Sequence, residues 1–109
     1  MLPSIKSITV HELFERLNND APLVIDIRAP WEIKKAHLDF AHLVAPEDLL
    51  DFCQRKNQEK NYDFAILCHY GIRSTIAVQF LTQKGFNALN ITGGIHAWSC
   101  HINSVIPQY

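Results

Sequence analysis

Apolar residues are grouped along the chain in two periodic patterns. Runs rich in β-branched or large apolar residues cover residues 23–27, 64–67 and 88–91, and each has the length of a buried strand. Residues 41–44 are a candidate for a further short strand. The segments between these runs carry apolar residues at helical spacing. Strands that alternate with helices predict βαβ units, so we expect an α/β fold whose parallel sheet is covered by helices on both faces.

The predicted helices begin and end at recognisable residues. Thr9 and Glu12 form a capping-box pattern that starts the first helix, which ends near Leu17. Lys84 followed by Gly85 is a typical helix stop. The other predicted helices cover residues 31–35, a stretch that begins at Pro46, residues 74–84 and a short last segment that ends near Trp98. The apolar stripe expected to face the core from the helix over 74–84 consists of Ile76, Ala77, Phe80 and Leu81.

The size and composition of the chain describe one ordinary globular domain. It has 109 residues, of which 48% are hydrophobic and 19% are charged, which is enough to fill one core. The formal net charge of -1 gives no bulk electrostatic attraction to nucleic acid or to an anionic membrane. No apolar run approaches membrane length, and we expect no secretory leader because the first residues lack a long apolar stretch. We therefore expect a cytoplasmic protein with neither a nucleic-acid nor a membrane partner.

The three cysteines are Cys53, Cys68 and Cys100. An odd number without a C-x-x-C pair fits neither a disulfide framework nor a structural zinc site. Histidine pairs spaced five residues apart do not share a helix face, so we expect no metal site and no cofactor. Cys53 fits the apolar face of a helix and Cys100 follows the last helix, so we interpret both as structural.

Cys68 lies at the junction of a strand and a helix. The sequence Cys68-His-Tyr-Gly-Ile-Arg-Ser74 follows the strand over residues 64–67 and leads into the helix over residues 74–84. Beyond the carboxyl ends of parallel strands, loop N–H groups and a helix N-terminus form a site for anions. Together with Arg73, these groups favour a nucleophilic thiolate at Cys68. The alternative is that Cys68 is a small buried residue and Arg73 a surface charge. That interpretation would be preferred for an isolated cysteine, but the combined strand, loop and helix pattern argues against it.

At these residues the sequence resembles the rhodanese family, and the resemblance runs from about Ser7 to Trp98. It implies a five-stranded parallel sheet in a single domain over residues 1–109, with a core over about 7–98 and a short tail over 99–109. The matching segments are Val24-Ile-Asp-Ile-Arg28 with Glu32, Ala36-His-Leu38, Cys68-His-Tyr-Gly-Ile-Arg-Ser74, Gly85-Phe86 and Thr92-Gly-Gly-Ile-His-Ala-Trp98.

The resemblance also implies a sulfur-transfer function. Cys68 would carry sulfane sulfur as a persulfide, taken from an anionic donor such as thiosulfate and removed by a thiol or cyanide acceptor. Arg73 would bind the anionic donor through its guanidinium. The other implied substrate-binding residues are those of the loop: His69, Tyr70, Gly71, Ile72 and Ser74. A sulfur-relay protein is a further candidate partner.

Residues outside the loop are assigned supporting roles at most. Asp26 could orient the loop or its water, but we favour an Arg28–Glu32 ion pair with Asp26 bonded to backbone amides.

For His69 we favour a solvent-facing ring over a hydrogen bond to the oxyanion of the donor. Gly71 is expected to serve backbone geometry that needs a positive φ.

One segment departs from the family pattern. The usual Gly-His-Ile-Pro-Gly-Ala reads Ala36-His-Leu-Asp-Phe-Ala41 in this chain, without the glycines and the proline. We therefore expect a different turn there, with the cysteine loop unaffected.

Two other functions remain open on the sequence alone. A cysteine-based phosphatase or arsenate reductase uses a similar thiolate and arginine but places five residues between them. In this chain four residues, 69–72, separate Cys68 from Arg73. The third hypothesis is a non-catalytic binding or regulatory module on the same fold, against which the presence of both Cys68 and Arg73 argues.

Overall fold

Residues 4–109, which the computed structural model describes, contain a single sheet of five parallel strands. The strands are β1 (Ser7–Ile8), β2 (Leu23–Asp26), β3 (His42–Leu43), β4 (Asp63–Leu67) and β5 (Asn87–Ile91). Their order across the sheet is β1-β5-β4-β2-β3, so β4 is central. The predicted α/β class and the five-stranded parallel sheet are confirmed.

Helices cover both faces of this sheet. Within the described residues they are α1 (Val10–Arg16), α2 (Pro30–Lys35), α3 (Leu49–Asn57), α4 (Arg73–Gln83) and α5 (Gly94–His101). The predicted capping box is present at α1, where the Thr9 hydroxyl accepts the Glu12 N–H at 3.1 Å and the Glu12 carboxylate accepts the Thr9 N–H at 3.0 Å. Among the helices described, none is both long and apolar enough to span a bilayer.

The two faces of the sheet carry separate cores because successive residues of a strand point to opposite sides. Ile25 and Ile66 pack on one side with residues of α3 and α4, including the fully buried Cys53. Val24 and Ala65 pack on the other side with residues of α1 and α5. The burial of Cys53 agrees with its interpretation as a structural residue.

The boundaries of several elements differ from the predicted ones. β1 was not predicted, because two residues are too few to show a period, and it pairs with β5 through Ser7 and Asn90. The helix predicted from Pro46 begins as a 3-10 turn, Pro46–Asp48, before α3. α5 continues to His101, beyond its predicted end near Trp98.

The buried face of α4 also differs from the predicted stripe. Ile76 is 73% exposed and Phe80 is 38% exposed, whereas Ser74, Val78 and Leu81 are fully buried. Positions 74, 78 and 81 have the spacing of one helix face. Ser74 makes buried hydrogen bonds within the loop that precedes α4, which turns this face inward and Ile76 outward. The stripe prediction was therefore wrong for Ile76 and Phe80 and correct for Leu81.

The ends of β2 and β4 lie side by side at one edge of the sheet. Asp26 is paired with Leu67, and the N–H of Ile27 donates to the carbonyl of Leu67 at 3.2 Å. The chain therefore leaves both strands at the same edge, which brings the segment leading to α2 next to the loop that begins at Cys68.

Candidate active site

Cys68 follows β4 directly and is almost completely buried, with 1% of its surface exposed. Its sulfur accepts the backbone N–H of Gly71 at 3.1 Å and that of Ser74 at 3.4 Å. The Ser74 hydroxyl oxygen lies 3.2 Å from the same sulfur. Because Ser74 belongs to the first turn of α4, the sulfur also lies at the positive end of that helix. The two backbone N–H groups and the helix end therefore favour negative charge on the sulfur.

Glycines allow the loop to fold this closely. Gly71 has φ +85°, and a Cβ at this position would lie 2.8 Å from the nitrogen of Gly93 and 3.0 Å from the carbonyl oxygen of Ile91. The start of α5 holds the other side of the loop, where the N–H of Ile95 donates to the carbonyl of Cys68 at 3.0 Å. The expected backbone role of Gly71 follows from both its φ and its close contacts.

Glu32 and Arg73 form a bidentate ion pair beside the loop. Both terminal nitrogens of Arg73 donate to the carboxylate of Glu32, each at 2.7 Å. The Glu32 side chain is buried, while that of Arg73 is half exposed. The Arg73 hydrogen bonds lower the pKa of Glu32 from 4.5 to about 2, and Glu32 in turn raises the pKa of Arg73.

The predicted Arg28–Glu32 ion pair was wrong. Arg28 pairs instead with Asp26 at 2.7 Å, and both side chains are fully buried. The carboxylate of Asp26 also accepts the backbone N–H of Arg28 at 3.0 Å, so a backbone amide bond to Asp26 is present as expected. The guanidinium of Arg28 donates to the carbonyl of Ala36 at 2.8 Å and thereby joins the end of β2 to the end of α2. Asp26 is fully occupied by Arg28 rather than by the cysteine loop.

Tyr109 is a site residue that the sequence analysis missed. Its hydroxyl donates to the carboxylate of Glu32 at 2.7 Å and accepts from Arg28 at 2.9 Å. Burial raises the pKa of Tyr109 to about 12. An aromatic residue in the segment assigned as a tail carries no periodic signal, so the sequence offered no reason to place it at the site.

His69 lies between two tyrosine rings rather than facing solvent as favoured from the sequence. Its ring stacks on Tyr70 and on Tyr109, with centroid distances of 3.9 Å in both cases. Its Nε2 is buried without a hydrogen-bond partner, and burial lowers the pKa of His69. The neutral His69 ring, stacked between the two tyrosines, therefore packs as one side of the loop. The side chains of Tyr70 and Ile72 are 50% and 73% exposed.

Asn90 is the second residue that the sequence analysis missed. It lies in β5 and is 7% exposed. Its amide nitrogen donates to the carbonyl of Gly71 at 3.1 Å, and its amide oxygen accepts from the hydroxyl of Ser74. A polar residue inside the otherwise apolar strand run 88–91 is the signal that could have identified it, because such a residue needs hydrogen-bond partners.

An apolar groove of about 750 Å³ opens beside Arg73. The loops after β2 and β3 line one side, and Ile76, Ala77 and Phe80 of α4 line the other. Cys68 does not line this groove, so Arg73 is the residue that connects the groove to the sulfur loop. The outward turn of Ile76 and Phe80 described above places both on the groove wall.

Two residues of the segment that departs from the family pattern are buried in the core. Ala36 and Leu38 are each 3% exposed, and the carbonyl of Ala36 accepts from Arg28. The expectation that this departure leaves the cysteine loop unaffected stays a prediction.

Comparisons with known proteins agree with this architecture. The sequence profile of the rhodanese-like domain matches residues 9–101. A rhodanese-like domain protein from Staphylococcus aureus is 32% identical, with a TM-score of 0.73 over 86% of this chain and 91% of that one. The human single-domain sulfurtransferase is 20% identical, with a TM-score of 0.74 over 90% of this chain and 98% of that one.

A larger protein contains the same fold as one part. The thiosulfate sulfurtransferase from Pseudomonas aeruginosa has a TM-score of 0.77 and 20% identity, over 98% of this chain and 20% of that one. The profile match extends from the N-cap of α1 to the last residue of α5 and includes the whole Cys68 loop. The chain therefore belongs to the rhodanese-like domain family.

Proposed function

We propose that this protein is a sulfurtransferase that carries sulfane sulfur on Cys68 as a persulfide. The observation that carries the proposal is the environment of the Cys68 sulfur, which accepts two backbone N–H groups at the positive end of α4. Such groups stabilise an anionic sulfur at the moment it attacks or leaves. Two relatives with this fold are named as sulfurtransferases, which is consistent with the proposal.

The proposed reaction has two half-reactions. The Cys68 thiolate attacks the outer sulfur of thiosulfate; a new sulfur–sulfur bond forms, the old one breaks, and its electron pair leaves with sulfite. The thiolate of an acceptor, or cyanide, then attacks the outer sulfur of the persulfide. The electron pair of the Cys68 persulfide bond returns to Cys68, which regenerates the thiolate.

Arg73 is proposed to bind the anionic donor. Two of its five N–H groups are used by Glu32, and its half-exposed side chain leaves the others available towards the groove. Glu32 therefore orients the guanidinium, and the donor's oxygens meet its free edge. Replacing Arg73 by Ala should raise the KM for thiosulfate about tenfold while transfer to a neutral thiol changes less.

The acceptor is proposed to be a thiol, either a small molecule or a cysteine on a sulfur-relay protein. All three cysteines of the chain are free. A reducing compartment such as the cytoplasm would keep Cys68 in the state that the reaction needs.

The test is intact mass after incubation with thiosulfate. The wild type and the matched control Cys100→Ser gain one sulfur atom, which a reductant removes, while Cys68→Ser gains none. A sulfur atom that maps to Cys53 or Cys100 refutes the assignment to Cys68. No gain in any variant favours the non-catalytic module, and hydrolysis of a phosphate ester without sulfur gain favours the phosphatase.

A further inference from the structure

Asn90 lies behind the cysteine loop and touches it at two points. Its amide nitrogen donates to the carbonyl of Gly71 at 3.1 Å, and its amide oxygen accepts from the Ser74 hydroxyl. Burying an amide in an interior strand is unfavourable unless both of its ends are bonded. In β5 both ends of the Asn90 side chain bond to the loop, so the residue is placed to control the loop's geometry.

The carbonyl of Gly71 determines which end of the amide faces Ser74. A carbonyl only accepts hydrogen bonds, so it faces the nitrogen of Asn90, and the oxygen of Asn90 must face Ser74. That amide oxygen has no hydrogen. The hydrogen between the two oxygens therefore belongs to the Ser74 hydroxyl, and it is directed away from Cys68.

The same Ser74 oxygen lies 3.2 Å from the Cys68 sulfur. With its only hydrogen turned to Asn90, Ser74 presents a lone pair to that sulfur. A thiol S–H can donate into the lone pair, whereas a thiolate or persulfide sulfur would face an acceptor. The N–H groups of Gly71 and Ser74 favour the anion, and the hydroxyl, held by Asn90, favours the thiol.

We propose that Asn90 is a positioning residue that controls the charge state of the Cys68 sulfur through the Ser74 hydroxyl. While Asn90 holds the hydroxyl hydrogen, the sulfur lacks a third donor. When the hydroxyl rotates towards the sulfur, the anion gains that donor and Asn90 loses it. The inference rests on the proposed role of Cys68 as the reacting thiol.

Other charged or titratable groups surround this arrangement and stay unchanged in its test. They are His69 of the loop, Arg73 at the start of α4, Glu32 of α2, the Asp26–Arg28 pair at the end of β2, His96 of α5 and Tyr109. Since none of them contacts Asn90 in the described hydrogen bonds, substitution of Asn90 acts on the sulfur through Ser74 and Gly71.

The experiment titrates the ultraviolet absorption of the Cys68 thiolate, taken as the difference between each protein and its Cys68→Ser counterpart. The proteins compared are the wild type, Asn90→Leu, Ser74→Ala and the double variant. Leucine has the same branched side-chain skeleton as asparagine, with two methyl groups in place of the amide oxygen and nitrogen, and therefore no acceptor. In Asn90→Leu the hydroxyl turns to the sulfur, and the half-titration point moves about one pH unit lower, the effect of one hydrogen bond to a charged group. In the Ser74→Ala background the same substitution gives no downward shift, because no hydroxyl remains.

An unchanged or higher half-titration point in Asn90→Leu overturns the proposal, since a loosened loop would weaken the Gly71 N–H bond and move the point upward. An equal downward shift in the Ser74→Ala background overturns it as well. Should Asn90→Leu fail to fold, the infrared S–H stretching band of Cys68 decides. The proposal requires this band at lower frequency in the wild type than in Ser74→Ala, and equal frequencies refute it. Neither measurement involves sulfur transfer, so failure of this inference about Asn90 is distinguishable from failure of the proposed function.

Discussion

Glu32 and Arg73 are 41 residues apart in the chain and meet through two parallel hydrogen bonds of 2.7 Å. The pair joins the first turn of α2 to the first residue of α4, directly after the cysteine loop. The carboxylate of Glu32 also accepts the N–H of Ala29 at 3.1 Å and the Tyr109 hydroxyl at 2.7 Å. The buried carboxylate of Glu32 accepts four hydrogen bonds. Glu32 is therefore the residue that fixes the cysteine loop to the segment that follows β2.

Replacing Glu32 by Gln should lower the free energy of unfolding by about 1–2 kcal/mol. The amide cannot accept from all four donors, but the half-exposed Arg73 can be hydrated, which limits the loss. Urea denaturation at neutral pH measures the effect. Glu15→Gln, at an exposed position of α1, is the matched control and should stay within about 0.5 kcal/mol of the wild type. Equal small losses in both variants would contradict the assignment of Glu32 as an anchor.

The contribution of Glu32 should also depend on pH. Its folded pKa of about 2 lies below the ordinary value of 4.5. A depressed pKa contributes stability that is fully present above the unfolded pKa and is lost as the pH falls through the folded one. The difference in unfolding free energy between wild type and Glu32→Gln should therefore shrink from about pH 5 to about pH 2. A difference that stays constant over this interval would show that the hydrogen bonds matter but the charge does not.

Tyr109 should act on both Glu32 and His69, through different parts of its side chain. Tyr109→Phe removes the hydroxyl bonded to Glu32 and Arg28 and should cost about 1 kcal/mol of unfolding free energy while the ring remains on His69. Tyr109→Ala also uncovers His69. Since burial lowers the pKa of His69, that pKa should rise towards 6.5 in Tyr109→Ala and stay low in Tyr109→Phe.

Nuclear magnetic resonance titration of the His69 ring separates these two effects. The reference is His37, whose exposed imidazole lies beside Asp39. A His69 titration that is the same in the wild type and in Tyr109→Ala would mean that Tyr109 does not cover the ring in solution.

The sequence predicted the parts of this fold that depend on local pattern. The strands at 23–27, 64–67 and 88–91, the Thr9–Glu12 capping box and the strand–cysteine loop–helix order follow from residues close together in the chain. Charge pairing depends instead on which side chains meet in space. Arg28 was expected to pair with Glu32, four residues later, but Glu32 meets Arg73 because β2 and β4 end side by side.

Two site residues were missed for related reasons. Asn90 was counted as part of an apolar strand, although its polarity is what joins β5 to the loop. Tyr109 lies 77 residues from Glu32, and no periodicity connects them. The face of α4 was misassigned because Ser74, a polar residue, is the one that must point inward.

Gly71 and Gly85 offer a matched pair for the last prediction. Both have positive φ, +85° and +90°, so alanine is strained at either position. A Cβ at Gly85 would meet nothing within 4 Å, whereas one at Gly71 would lie 2.8 Å from the backbone nitrogen of Gly93. Gly85→Ala should therefore cost about 1 kcal/mol of unfolding free energy, and Gly71→Ala about 2–4 kcal/mol, because its backbone contacts cannot move aside cheaply.

The two variants should differ further at the sulfur. The N–H of Gly71 is the shorter of the two backbone bonds to Cys68, so displacing this residue weakens the environment that favours the anion. Gly71→Ala should slow persulfide formation from thiosulfate at least about tenfold, whereas Gly85→Ala, beyond the far end of α4, should leave it unchanged. The rate is followed by intact mass under conditions in which both variants are folded by circular dichroism. Equal rates in the two folded variants would show that the Gly71 N–H does not support the reacting sulfur.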